Sequence, residues 1–341
     1  IGLCSKVRRG PVGIAAASGS GMQEVMNIIH KLGSGVSHAI GVGGRDLRAE
    51  VGGITMLQSI DLLEKDPDTA VIVLISKPPA RETAEKIFAR VRQCKKPVVA
   101  QFINSDSALA HEAGAYASDS FENTARLAIA LSKGEVYTPE REENAFVRLL
   151  PLAREEAGKM LESQKYLRGL YCGGSLAEET LTLAYDRLGP IYGNIAFSDE
   201  YMLDDPFHSK GDCMIDIGAE AFTAGKPHVA IDPSPRIDRF VQEARDPETA
   251  VILMDMLLGY ALCEDPAGMM KQVIIEEKAR AKAEGRHLTV IASICGSDLD
   301  PQDMTAQEQI LKDAGVIVLS NNGEASRLAA LIIQLRREML S

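Results

Sequence analysis

An internal repeat constrains this chain more than any other feature. The stretch Asp66-Pro67-Asp68-Thr69-Ala70-Val71-Ile72 returns as Asp246-Pro247-Glu248-Thr249-Ala250-Val251-Ile252, 180 residues further on. ENTARLA, beginning at Glu122, returns as EASRLA from Glu324 with one residue deleted. A strand, Gly/Ser turn and helix start at residues 18–24 returns at 173–179. Three matches in the same order point to duplication. The 341 residues suffice for two domains, each with its own core.

Within the first copy, residues 11–17, 38–42, 70–75 and 97–103 read as apolar strands. Helical patterns lie between them, with Met22, Val25, Met26, Ile29 and Leu32 on one face of the first and further helices at 53–64 and 81–93. Strands this apolar are buried on both faces, as in a parallel sheet covered by helices. The expected fold is therefore α/β: two flavodoxin-like three-layer domains with parallel sheets, related by duplication. The expected boundaries are 1–133 and 166–341. Residues 134–165, charged and holding Pro139 and Pro151, read as a partly helical connector.

Composition excludes several classes. Apolar residues make up 45% and charged residues 25%, as in ordinary globular proteins. No apolar run is long enough to span a bilayer, and no signal peptide opens the chain, so a cytoplasmic location is expected and no membrane partner. The net charge of -11 disfavours nonspecific nucleic-acid binding. Cys4, Cys94, Cys172, Cys213, Cys263 and Cys295 form no CxxC pair and no zinc spacing, so reduced thiols and no metal are expected. The chain starts at Ile1 rather than Met, so an upstream segment is expected.

Both copies carry a glycine-rich turn where a helix begins: Ser18, Gly19, Ser20 and Gly21 in the first, Gly173, Gly174 and Ser175 in the second. Glycine permits close approach of a ligand, and the N–H groups and dipole of a helix start favour an anion. Ser20 with Gln23, and Ser175 with Glu178, have capping-box spacing. Carboxylates at Glu178 and Glu179 are alternative partners for those N–H groups. No Walker lysine and no complete GxGxxG is present.

Ligands of doubly wound sheets sit beyond the carboxyl ends of the strands. That rule selects Arg45, Asp46, Lys77 and the Asn104-Ser105-Asp106 loop in the first copy. In the second it selects Glu220, Lys226-Pro227-His228, Gly259 and Cys295-Gly296-Ser297. Arg45 and Lys77 have the charge to neutralise a phosphate dianion. His228, Asp232 and Arg236 share one loop, KPHVAIDPSPR. Each of these residues equally suits a solvated polar loop.

These residues resemble the succinyl-CoA synthetase superfamily. Residues 11–130 look like the ligase domain of its α subunit, with Ser18 to Glu24 standing where that family has SGTLTYE. Residues 167–341 look like the carboxyl-terminal domain of its β subunit, through Cys172-Gly173-Gly174-Ser175-Leu176, Ile215-Asp216-Ile217-Gly218, and Gly259 with Cys263-Glu264-Asp265. Finer motifs resemble the FdrA proteins, a fused branch: GVGGRDL from Gly41, ISKPP from Ile75, Pro227-His228, Ile231-Asp232-Pro233 with Arg236, and Asp300-Pro301-Gln302. The family's phosphohistidine motif GHAGA meets His111-Glu112-Ala113-Gly114-Ala115 here, so His111 stands one place off. The supporting GEIGG loop is replaced by Ser76-Lys77-Pro78-Pro79. FdrA proteins usually carry an amino-terminal CoA-binding domain as well, and none is recognised in this chain.

The resemblance implies a phosphate site between two helix starts and a transferase or ligase. The leading expectation is an oxamate-carbamoyltransferase-type subunit handling an acyl or carbamoyl phosphate. Lys77, Arg45, His228 and Arg236 would serve catalysis, and Asp46, Asp232 and Gly296 the substrate. Two alternatives stand beside it: a nucleotide-dependent acyl-CoA synthetase using His111, and a non-enzymatic assembly or ligand-sensing subunit. Phosphate or carbamoyl phosphate is the expected substrate, with CoA and ADP or ATP only through additional domains. A small carboxylate, partner subunits and a homo- or hetero-oligomer are the expected partners.

Overall fold

A computed structural model describes residues 5–103 and 107–340. The chain divides into two compact units, Ile1–Pro139 and Glu140–Ser341.

The first unit runs β1 (Arg9–Ala16), α1 (Gly19–Lys31), β2 (Val36–Gly41), α2 (Ile54–Lys65), β3 (Val71–Ser76), α3 (Arg81–Val91), β4 (Val98–Phe102), α4 (Ala108–Glu112), β5 (Tyr116–Ala117) and α5 (Phe121–Ser132). Its five strands are parallel, in the order β2-β1-β3-β4-β5. That is the flavodoxin order, whose direction reverses between β1 and β3. β3 is buried along its whole length, which explains its unbroken VIVLIS run. One side of the core gathers Ala15, Met56, Ile60, Leu74, Ile87 and Phe88. Gly13 admits this packing, since a Cβ there would stand 2.7 Å from the Leu63 side chain.

The second unit runs α6 (Glu142–Gly158), β6 (Tyr166–Tyr171), α7 (Gly174–Leu188), β7 (Tyr192–Gly193), a 3-10 turn (Asp199–Tyr201), β8 (Cys213–Asp216), α8 (Glu220–Thr223), α9 (Ser234–Arg245), β9 (Thr249–Leu257), α10 (Pro266–Ala283), β10 (Thr289–Cys295), α11 (Met304–Asp313), β11 (Ile317–Leu319) and α12 (Asn322–Leu340). The sheet order is β11-β10-β9-β6-β8-β7, parallel throughout. Read from β8 it repeats the order of the first unit, with β7 added at the edge. α2 and α9 lie 180 residues apart at both ends, matching the repeat in the sequence.

Most of the stretch read as a connector is α6, a helix of 17 residues that packs on α12. Its buried face carries Ala145, Phe146, Leu149, Ala153 and Ala157. Glu142 binds Arg327 of α12 at 2.7 Å, and Glu156 receives bonds from His287 and Thr289. The patterning looks weak because charged residues anchor the same helix. Among the described residues no helix is long and apolar enough to cross a membrane.

Candidate functional site

In the first unit, the loops that leave β1, β2 and β3 converge where the strand order reverses. They line a cleft of about 650 Å³ bounded by Ala17, Arg45, Arg48, Ser76, Lys77 and Pro78, among others. Three cations thus share one cleft with a single carboxylate, Glu50. Arg45 and Lys77, 32 residues apart in sequence, are brought together. Arg48 was missed, although it lies in the same loop. Asn104, Ser105 and Asp106 lie outside the described residues.

The helix start beside this cleft is capped differently from the expected box. The cap of α1 is Ser18, whose Oγ accepts from the Gly21 N–H at 3.0 Å. Ser20 is already inside the helix, and Gln23 Nε2 donates instead to Ser5 at 2.8 Å. Helix begins two residues earlier because Ser18 to Gly21 satisfies the same three-residue spacing. A Cβ at Gly21 would meet Ser18 Oγ at 2.6 Å and the Phe121 ring at 2.9 Å, whereas one at Gly19 would meet nothing within 4 Å. Gly19 is the open, approachable member of the turn.

Asp46 does not face a substrate. It is 4% exposed, and its carboxylate accepts from the N–H groups of Thr55 and Met56 at 2.8 and 2.9 Å. It caps α2, whose nominal cap Gly53 has no side chain to do so. By doing this it fixes the loop that carries Arg45 and Arg48.

The second unit's turn is built on an ion pair. The N–H groups of Cys172 and Gly173 both donate to the Asp255 carboxylate at 2.8 Å. Arg236 donates to Asp255 Oδ1 and to the Asp255 carbonyl, each at 2.6 Å, and also meets Cys172 Sγ. Arg236 and Asp255 are 3% and 0% exposed. Arg236 therefore holds the turn rather than orienting a substrate carboxylate. Burial also pushes the Cys172 thiol well above its usual range, which disfavours the thiolate.

The cap of α7 is Gly173, with no side-chain bond, so Ser175 is not the cap of a box with Glu178. Glu179 accepts from Asn322 at 2.8 Å. Asp216 Oδ2 stands 2.7 Å from where a Cβ of Gly174 would be. The turn thus has Asp255 and Asp216 beside it, two carboxylates that the sequence reading did not single out for this role.

His228 reaches the same end of the sheet. Its Nδ1 accepts from Ala230 N at 3.2 Å, which leaves Nε2 as the protonated nitrogen of the neutral ring. A Cβ at Gly218 would stand 2.6 Å from both His228 Nε2 and the Cys172 carbonyl. Burial lowers the pKa of His228, keeping the ring neutral around pH 7.

Asp232 is elsewhere. It accepts from Ser234 N at 3.0 Å and Oγ at 2.6 Å at the start of α9, and it lines a separate groove with Phe207, Phe222 and Lys226. Gly296 is a packing glycine, since a Cβ there would stand 2.7 Å from Leu258. In the neighbouring loops Asp300 accepts from Ser297 N at 2.8 Å, and Gln302 clamps both backbone groups of Gly259. Glu220 opens α8 on the surface, and Cys295 is buried. His111 is exposed on the five-residue α4 and does not line the Arg45–Lys77 cleft. Among the described residues no group of three or more His, Cys, Asp or Glu is placed to hold a metal ion.

Both units have counterparts among known proteins. Residues 170–332 match the CoA-ligase family model and residues 8–103 match the CoA binding domain model. The second match falls on the first unit, in a chain where the motifs alone suggested no CoA-binding domain. The chain is 43% identical over 331 residues to the uncharacterized protein YahF of Escherichia coli K12, covering 96% of this chain and 63% of that protein. It is 33% identical over 93 residues to the ADP-forming succinate–CoA ligase subunit alpha of Aquifex aeolicus, covering 27% of this chain and 29% of that one. The chain thus spans less than two thirds of either relative's length. Among solved structures it is similar to the apo form of a dinucleotide forming acetyl-coenzyme A synthetase 1 from Ca. Korarchaeum cryptofilum, at 17% identity, with TM-score 0.37, over 98% of this chain and 67% of that one. With two parallel α/β units, a CoA-ligase match over residues 170–332 and a relative of this identity, the chain is similar to CoA-ligase-type proteins.

Proposed function

We propose that this chain is part of an acyl-transferring enzyme and that its first unit holds the phosphoryl group of an acyl or carbamoyl phosphate. The observation that carries this reading is the cleft in which Arg45, Arg48 and Lys77 meet at the switch point of the first sheet. Attack on an acyl phosphate drives charge onto the leaving phosphate. Cations fixed around that oxygen cluster stabilise the transition state more than the ground state. An oxamate-carbamoyltransferase-type reaction asks for this and for no phosphohistidine. Binding of inorganic phosphate, acetyl phosphate and carbamoyl phosphate to the parent, Lys77→Ala and Arg45→Ala tests it. The reading fails if all three proteins bind these ligands equally or not at all.

A second reading is an acid–CoA ligase. The CoA binding domain match over residues 8–103 and the likeness to a succinate–CoA ligase alpha subunit favour it. There the same cleft would face an acyl phosphate attacked by a thiol, or the phosphates of CoA. Saturable CoA binding, with thioester formed from acetyl phosphate, would select this reading over carbamoyl transfer.

A further inference from the structure

The loop that runs from Lys226 to Arg236 serves two places. His228 and Arg236 stand at the carboxyl end of the second sheet, whereas Lys226 and Asp232 line a groove that the proposed reaction does not use. The groove measures about 460 Å³. Small-ligand sites have volumes of roughly 300–1,000 Å³. No residue of the Arg45–Lys77 cleft lines it.

Its apolar wall is an aromatic pair. Phe207 and Phe222 meet with ring centroids 4.8 Å apart and planes at 54°, and Pro235 extends the wall. Phe207 is 49% exposed, which leaves much of an apolar ring in water. Its loop is nevertheless fixed. Asp205 Oδ1 accepts from the Phe207 N–H at 2.9 Å, and Gln242 Nε2 donates to the Phe207 carbonyl at 2.9 Å. Arg239, itself 4% exposed, donates to the Pro206 carbonyl at 2.7 Å and to Ser209 Oγ at 2.8 Å. These bonds hold the ring at the groove instead of letting it fold away. A ring fixed in advance is a contact surface that costs little entropy to use.

The polar wall offers one free charge of each sign. Lys226 and Asp238 both line the groove, yet their side chains pair neither with each other nor with any other described residue. Arg239 adds no free charge, because its Nε donates to Glu243 at 2.6 Å and its other nitrogens hold the loop. Asp232 already accepts from Ser234. A purely anionic ligand would leave Asp238 unanswered and meet Asp232 as well. A purely cationic one would leave Lys226 unanswered. A ligand with an ammonium and a carboxylate answers both, and an apolar side chain covers the rings.

We propose that this groove binds a small zwitterion with an apolar side chain, of the chemical class of the aromatic and branched amino acids. The ring pair takes the side chain, Lys226 the carboxylate and Asp238 the ammonium. The site is independent of phosphate binding in the first unit, since the two share no residue.

Calorimetric titration with phenylalanine and with leucine tests this, beside hydrocinnamate, which lacks the ammonium, and phenethylamine, which lacks the carboxylate. The parent is expected to bind at least one of the two amino acids saturably, and to bind phenylalanine roughly tenfold more tightly than either partial analogue, the value of one charge-assisted contact. Lys226→Ala should weaken phenylalanine roughly tenfold and leave phenethylamine unchanged. Asp238→Asn should weaken phenylalanine to the same degree and leave hydrocinnamate unchanged. Phe207→Ala should weaken all of them. All three side chains are exposed, so the variants should fold like the parent. Lys77→Ala should bind phenylalanine as the parent does. The proposal is overturned if the parent binds neither amino acid, if a partial analogue binds as tightly as phenylalanine, or if Lys226→Ala and Asp238→Asn bind like the parent.

Discussion

Arg236 meets Asp255 at 2.6 Å in the middle of the second unit, at positions where the first unit has Met56 and Ile75. The same fold and the same repeat thus give two chemically different switch points, one lined by cations and one built on a buried ion pair. Breaking such a buried pair from one side costs about 3–5 kcal/mol, whereas replacing both partners by apolar groups is often neutral. Arg236→Met alone should therefore destabilise far more than Arg236→Met/Asp255→Ile. Urea unfolding of both proteins checks this, and equal losses would show that the pair is not the unit of stability.

Asp46 should behave as a cap. Its carboxylate holds two N–H groups at the start of α2. Asp46→Ala is expected to lose about 1–2 kcal/mol of stability. It should also weaken phosphate binding indirectly, by loosening the loop that carries Arg45. A variant as stable as the parent, yet impaired in binding, would return Asp46 to the substrate.

The two glycines of the first turn should separate. Gly21→Ala forces a Cβ to within 2.6 Å of Ser18 Oγ and 2.9 Å of Phe121, and overpacking of this kind costs about 1–3 kcal/mol. Gly19→Ala meets no atom within 4 Å and should leave stability unchanged or slightly higher. Gly19→Val should fold and yet hinder a ligand that approaches the turn. Unfolding curves of the three variants beside their phosphate affinities give the answer. A Gly21→Ala protein of parental stability would refute the packing argument.

Acid should loosen the seat of α6. Burial pushes the Glu156 carboxyl up, but bonds from His287, Lys159 and Thr289 outweigh it and hold the group at about 2, against 4.5 unperturbed. A carboxyl whose folded pKa is depressed contributes fully above its unfolded value and loses that contribution as pH falls through the folded one. Stability should therefore drop between about pH 4.5 and 2, by on the order of 2–3 kcal/mol at most from this group. Glu156→Gln should flatten that part of the profile while lowering stability near neutrality. An unchanged acid limb would contradict this assignment.

His111 should be dispensable. It is exposed on a short helix and stands one place off the family's motif. His111→Gln should keep parental turnover with acetyl or carbamoyl phosphate, and no acid-labile, base-stable phosphate should form on the parent. Loss of turnover with loss of such a phosphate would favour the ligase reading that uses it.

The architecture was legible because apolar runs and the repeat are local signals. The runs at 70–75 and 97–103 became β3 and β4 within a residue or two. The closer detail was not, because it depends on partners distant in sequence. Asp46 looked like a ligand-facing acid beside two glycines, and nothing local says that its oxygens reach Thr55 and Met56. Ser20 with Gln23 and Ser18 with Gly21 have equal spacing, and only the point where β1 ends decides between them. One signal was present and unused: Asp255 is the lone charge in the buried run Thr249–Leu257. A charge in such a strand implies a buried counter-charge, and Arg236 was already in view. Lys77 and Arg45 were found together because the switch-point rule concerns strand ends, which the pattern does reveal.

The most direct measurement is a calorimetric titration of the parent and of Lys77→Ala with inorganic phosphate and acetyl phosphate, with partner subunits present where the native assembly has them. Loss of one charge-assisted contact is worth about 1.5–3 kcal/mol, and 1.4 kcal/mol is tenfold in affinity. The account predicts saturable phosphate binding in the parent, weakened roughly tenfold or more in Lys77→Ala, with both proteins equally stable. Equal affinities in the two folded proteins would contradict it.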